Sequence, residues 1–151
     1  MRLPVHKRMT FPIGATALLM VDIQEEQRSD PNYYAHGFDQ ILSNTSRLLN
    51  AARLNGFQIA HAQYIRDFSM LPPRPFEASL PDGSPTFSDS QAGQIAICAE
   101  VAPTADEVVF TKNDASAFLG TGLNQWLTDY NTKWLVICGV WTEACIAATV
   151  R

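Results

Sequence analysis

Asp22, Lys112 and Cys145 each stand at or just beyond the end of an apolar run in this 151-residue chain. Asp22 falls in residues 17–23 (ALLMVDI), Lys112 follows 108–111 (VVFT), and Cys145 comes shortly after 134–138 (WLVIC). A thiol, a carboxylate and an ammonium are the parts of a nucleophilic hydrolysis. The thiol attacks a carbonyl carbon, the carboxylate takes and returns a proton, and the ammonium orients the pair. Thr142 reads as a helix N-cap whose hydroxyl accepts the N–H of Cys145. That placement puts the thiol in a first helical turn, where the macrodipole and Lys112 lower its pKa. The backbone N–H groups of Val140, Trp141, Thr142 and Cys145 are candidates for an oxyanion hole. Gln24, Tyr64, Phe118 and Trp141 are candidate substrate contacts, although aromatics at strand ends commonly serve packing alone. Arg66 and Arg74 could read a substrate carboxylate, but surface arginines are common. His61 alternates into the sheet interior and reads as a hydrogen-bonded core residue, and Cys98 and Cys138 as buried packing.

These residues converge only if the runs that carry them are neighbouring strands. The three runs have the length and β-branched content of buried parallel strands, and residues 57–63 (FQIAHAQ) make a weaker fourth. Between the first and the fourth, Phe38, Ile41, Leu42, Thr45, Leu49 and Ala52 recur at helical spacing, and Gly56 supplies the C-terminal cap. A second helix opens at Thr121 and buries Leu123, Trp126, Leu127 and Tyr130; a third opens at Thr142. Strand–helix alternation of this kind makes an α/β fold around a mainly parallel sheet. Ligands of such sheets bind beyond the carboxyl ends of the strands, where Asp22, Lys112 and Cys145 fall. Residues 68–93 differ in kind, with five prolines, one internal glycine, several serines and little periodicity. A stretch of that length reads as a lid or binding loop.

Apolar residues make up 46% of the chain and charged residues 17%, which excludes a disordered protein. The net charge is −4 and no basic run is long enough to track a phosphate backbone, so nucleic acid is not an expected partner. Three widely spaced cysteines form no C-x-x-C and point to a reducing, cytoplasmic setting. Arg2, Lys7 and Arg8 before an apolar run imitate a signal peptide, but no small-x-small cleavage site follows. The run is also too short to span a bilayer, so no membrane partner is expected.

Three motifs in order carry a family resemblance: Val21-Asp22-Ile23-Gln24; Phe110-Thr111-Lys112 followed by Ser116 to Thr121; and Gly139-Val140-Trp141-Thr142-Glu143-Ala144-Cys145 running on to Arg151. They resemble the isochorismatase-like cysteine hydrolase superfamily. The resemblance implies a Rossmann-like three-layer α/β/α fold, a catalytic triad of Asp22, Lys112 and Cys145, and a cis peptide between Val140 and Trp141. It implies a metal-independent hydrolase of a small amide or ureide acting through a Cys145 thioester. Nicotinamidases of the superfamily carry an Asp-x-His…His metal site after the second strand. Here residues 62–68 offer Asp67 without a histidine, so neither a metal nor another cofactor is expected. Family members continue well past the position of Arg151, so residues 1–151 read as a single, C-terminally incomplete domain whose exposed edge favours a homo-oligomer. Other readings stay open: a catalytically degenerate interaction module, an isochorismatase-type vinyl ether hydrolase, and a thiol redox sensor lacking an evident resolving cysteine.

Overall fold

A computed structural model describes residues 10–30 and 33–151; Arg2, Lys7 and Arg8, the basic part of the signal-peptide imitation, lie outside them. Four strands form one all-parallel sheet: β1 (Thr16–Val21), β2 (Gln58–Tyr64), β3 (Val108–Lys112) and β4 (Trp134–Gly139), in the order β3-β2-β1-β4. The chain steps outward from β1 through β2 to β3, then returns to the other side of β1 for β4. That reversal opens a crevice at the carboxyl ends of β1 and β4, the position where open α/β sheets bind ligands.

All six residues of β1 are buried, because the strand is covered on both faces. Leu18 and Met20 pack with Phe38, Leu42, Leu49 and Ala52 of a long helix, while Leu19 and Val21 face Ala117 and Leu123 on the other side. The alternation along one strand thus builds both halves of a three-layer α/β/α fold. A one-turn helix, α1 (Glu26–Ser29), follows β1, and the long helix α2 (Phe38–Leu54) carries the chain to β2. Gly56 ends α2 at φ +66°, with the Gly56 N–H on the Arg53 carbonyl and the Phe57 N–H on that of Ala52. This is the paired hydrogen-bond pattern that a left-handed residue after a helix allows. The opposite face is covered by α3 (Leu123–Asp129) and by a wide turn, Thr142–Ile146, running into α4 (Ala147–Val150). No described helix is long and apolar enough to cross a membrane.

Several sequence expectations shift. β3 and β4 are not buried on both faces: Val109 is 38% and Trp134 47% exposed, and residues 135–139 are half-buried. The cause is topological, since each strand has a sheet neighbour on one side only among the described residues. The second helix starts at Leu123 rather than Thr121, because the Thr121 hydroxyl donates back to the Ala117 carbonyl and accepts the Leu123 N–H. Of its apolar residues only Leu123 is fully buried, and Tyr130 is largely exposed. The proline-rich stretch is irregular, as its composition implies, but it is firmly tied down. Arg66 grips Glu77 through two 2.6 Å bonds, Arg74 binds Asp114 at 2.8 Å, and Ser88 bonds the Glu26 carboxylate.

Candidate active site

At the mouth of the crevice the chain leaves β1 through Asp22, whose φ of +53° is a left-handed conformation that aspartate tolerates better than most residues. Its N–H bonds the Ala62 carbonyl of β2, which fixes the turn. The carboxylate is buried and reaches Lys112 Nζ, from the end of β3, at 2.8 Å. The same Nζ lies 3.3 Å from Cys145 Sγ and 3.1 Å from the Asp114 carbonyl, with the Tyr64 ring 4.5 Å beneath it. Those three polar neighbours match the three N–H bonds of an ammonium. Cys145 itself comes from the turn after β4. The end of β4 lies close against β1: the Val140 N–H bonds the Val21 carbonyl at 3.0 Å, and Gly139 sits at φ +141°. A side chain at Gly139 would run into the Val21 backbone, so only glycine fits. The Val140–Trp141 peptide is cis, as the resemblance implies.

The electrostatics differ from the simple first-turn picture. Burial pushes the Cys145 thiol up to about 12; the adjacent Asp22 charge adds to that shift, and Lys112 opposes it without prevailing. Burial likewise raises the Asp22 carboxyl, with the Lys112 ammonium pulling it back. The expected Thr142 cap is not made either. Trp141 occupies the cap position in an extended conformation, no side chain caps the turn, and the Trp141 carbonyl accepts the N–H groups of Ala144 and Ile146. The turn is too wide to bring the Thr142 hydroxyl into the role that a regular α-helix would give it. Val140 also drops out as an oxyanion donor, its N–H being bonded to Val21. The Trp141 N–H, in contrast, makes no hydrogen bond among the described residues.

A cavity of about 230 Å³ opens over these groups, lined by Asp22, Gln27, Tyr64, Arg74, Trp141 and Cys145, with Phe87, Asp114, Ala115, Val140 and Ala144 completing it. Trp141 stacks on Phe87 (centroids 5.6 Å apart) and on Tyr33 (6.3 Å), and Phe87 packs on Tyr64 at 5.5 Å. The result is a continuous aromatic wall. A second cleft of about 280 Å³ shares Tyr64, Arg74 and Phe87 with the first.

The expected substrate contacts divide. Tyr64 and Trp141 line the cavity; Gln24 and Phe118 do not. Gln24 is fully buried and its amide is spent on backbone: Oε1 takes the Tyr64 N–H, and Nε2 donates to the carbonyls of Tyr64 and Ile95. It braces the wall instead of touching its contents. Phe118 borders a different surface depression beside Leu127 and Trp134, and Thr142 borders another, beside Tyr34 and His36, that shares Val140 and Trp141 with the cavity. Asp67 accepts from Ser69, and His61 bonds Glu107, away from the cavity in both cases. Among the described residues the compact group Glu25, Cys98 and Glu100 could offer metal ligands, but none lines the cavity and Arg28 already bridges its two carboxylates. Tyr33, Phe87 and Gln27 were invisible to pattern reading because they come from loops and a one-turn helix with no periodicity. Asp114 had one signal, its position two residues past the strand-end lysine.

A family model for the isochorismatase domain matches residues 16–151. The chain belongs to the isochorismatase family. It is thereby an enzyme of the isochorismatase-like hydrolase type. Among its relatives is a ureidoacrylate amidohydrolase of Yersinia enterocolitica, 29% identical over 168 residues, covering 95% of this chain and 70% of the relative. A maleamate amidohydrolase of Pseudomonas putida is 31% identical over 142 residues, covering 88% of this chain and 62% of the relative. A crystal structure of a cysteine hydrolase from Pseudomonas syringae pv. phaseolicola superposes with a TM-score of 0.78 at 22% identity, covering 95% of this chain and 68% of that one. The chain thus spans roughly two thirds of the length of these family members, and the structural likeness bears on the fold.

Proposed function

We propose that the protein hydrolyses the C–N bond of a small amide or ureide through a Cys145 thioester. The observation that carries this reading is the placement of one ammonium, Lys112 Nζ, 2.8 Å from a buried carboxylate and 3.3 Å from a thiol on the wall of a small cavity. Two relatives are amidohydrolases, which supports an amide-type substrate. The cavity is smaller than the ~300–1,000 Å³ typical of sites for drug-sized ligands, which favours a small acyl group.

In the resting site the thiol holds its proton. On attack, that proton passes to the Asp22 carboxylate while Sγ forms a bond to the carbonyl carbon and the carbonyl π pair moves to oxygen. The unpaired Trp141 N–H is the donor offered to that oxyanion. Collapse breaks the C–N bond, and Asp22 returns the proton to the leaving nitrogen, which departs as ammonia or an amine. Water then adds to the thioester with Asp22 again taking a proton, and the carboxylic acid leaves as the thiol re-forms. Lys112 keeps Asp22 in position and offsets the charge developing on sulfur. The test is ammonia release from a panel of small amides and ureides, with intact-protein mass spectrometry to trap the acyl adduct. Cys145→Ala is expected to lose release and adduct together; release that survives the substitution would overturn the thioester.

A further inference from the structure

Gln27 is held rigidly. Its N–H bonds the Gln24 carbonyl, and its own carbonyl takes the Ala35 N–H at 2.9 Å. The residue is 2% exposed and borders the same cavity as Asp22 and Cys145. Nε2 donates to Glu26 Oε1 at 3.4 Å, and both oxygens of Glu26 accept from Ser88. An acceptor-only carboxylate face fixes which way the amide lies: nitrogen toward Glu26, oxygen away from it. Gln27 Oε1 then has no hydrogen-bond partner within the protein. A buried acceptor left unpaired is costly and is retained when something else pairs it. The two carboxylates on the cavity wall each face a cation, Asp114 with Arg74 and the Ala115 N–H and Asp22 Oδ2 with Lys112 at 2.8 Å; Asp22 Oδ1 is unpaired like Gln27 Oε1, and in the mechanism proposed above that carboxylate is the one that takes up the thiol proton.

We propose that Gln27 is a specificity-determining residue whose side-chain carbonyl accepts an N–H of the substrate's scissile amide. The site then selects primary and secondary amides and ureides over tertiary amides and esters of the same acyl group. This rests on the cysteine-hydrolase reading above and adds to it a reason for nitrogen preference. The contact also fixes the rotation of the leaving nitrogen, and it is released when that nitrogen departs.

The test compares kcat/KM for primary carboxamides and for methyl esters of the same small planar acids, read as ammonia and methanol release. Gln27→Met keeps the length and removes the acceptor. It is expected to lower the amide-to-ester ratio by about 10–100-fold, the range for one lost hydrogen bond between buried partners. Thermal melts of each variant check folding; should Gln27→Met fail to fold, Gln27→Asn, with its shorter reach, is expected to lower the ratio in its place. An equal loss on amide and ester assigns Gln27 a structural role and overturns the proposal, as does an unchanged ratio. If the wild type cleaves no pair and Cys145 is never acylated, the cysteine-hydrolase reading itself has failed. An active wild type with an unmoved ratio fails Gln27 alone.

Discussion

Cys145 and Asp22 oppose each other in the resting site, and that opposition is open to measurement. Burial comes first and the Asp22 charge second in holding the thiol protonated, with a pKa pushed up to about 12. An ordinary cysteine ionises near ~8.5, so alkylation of Cys145 by iodoacetamide at neutral pH should be slower than that of a free thiol and should keep rising with pH above about 9, where a free thiol levels off. Asp22→Asn removes the charge that suppresses ionisation. Alkylation at neutral pH should therefore accelerate, while amide turnover falls by roughly 10²–10⁴-fold with loss of the proton carrier. Two readouts moving in opposite directions are hard to produce by misfolding; both falling together would sink the assignment. At this scale the sequence was informative about which side chains come together and poor about their state. Asp22, Lys112 and Cys145 could be picked out because polar residues capping apolar runs mark strand ends. The acidity of the thiol could not, because it depends on burial and on a charge distant in sequence. Gln24 was misjudged for a related reason: a polar residue beside a site is as useful for pinning backbone as for binding ligand, and only the partners of its amide decide which.

The elements that position the site depend on a clamp away from it. Glu107, in the loop before β3, binds Arg53 of α2 at 2.7 Å and His61 of β2 at 3.0 Å. Burial alone would raise its carboxyl, but Arg53, His61 and the Thr104 N–H override that and hold it near 2. An unfolded glutamate ionises near ~4.3, so this contribution to stability is complete above that pH and is lost as pH falls toward 2. His61 adds to the acid sensitivity, since burial lowers its pKa and the unfolded chain takes up a proton below about 6.5 that the fold resists. Glu107→Gln strands Arg53 and His61 and is expected to cost about 2–4 kcal/mol at neutral pH, by analogy with broken buried pairs. Denaturant melts should show the gap between variant and wild type narrowing toward pH 3; a pH-independent gap would refute the charge clamp. Strand positions were legible to within a residue or two because apolar runs of strand length have few alternatives. The clamp was not, because it joins residues from three elements that no local pattern connects. The start at Thr121 misled because its hydroxyl is engaged locally, whereas the helical turn does begin at Thr142 and only the expected cap by its hydroxyl fails.

The molecule as a whole is unevenly covered. β1 is sealed on both faces and both edges, whereas β4 pairs with β1 alone among the described residues and leaves its other row of N–H and C=O groups without sheet partners. Apolar surface accompanies that edge: Trp134 is 47% exposed even with Phe11 packed edge-on against it, and residues 135–139 are half-buried. The strand carries no charged or proline residue that would discourage pairing. An edge with this composition is a template for a further strand, and in a solution of one protein the available strand belongs to another copy. Self-association of the 151-residue chain is therefore expected, and sedimentation velocity over a range of micromolar concentrations should show a weight-average mass that rises with concentration. Trp134→Lys places a charge on the exposed start of the edge strand with little loss of core packing, and should shift the distribution toward monomer. A single sharp monomer boundary for the unaltered chain, together with cooperative thermal unfolding, would show that β4 tolerates an open edge in solution and would refute the self-association argument.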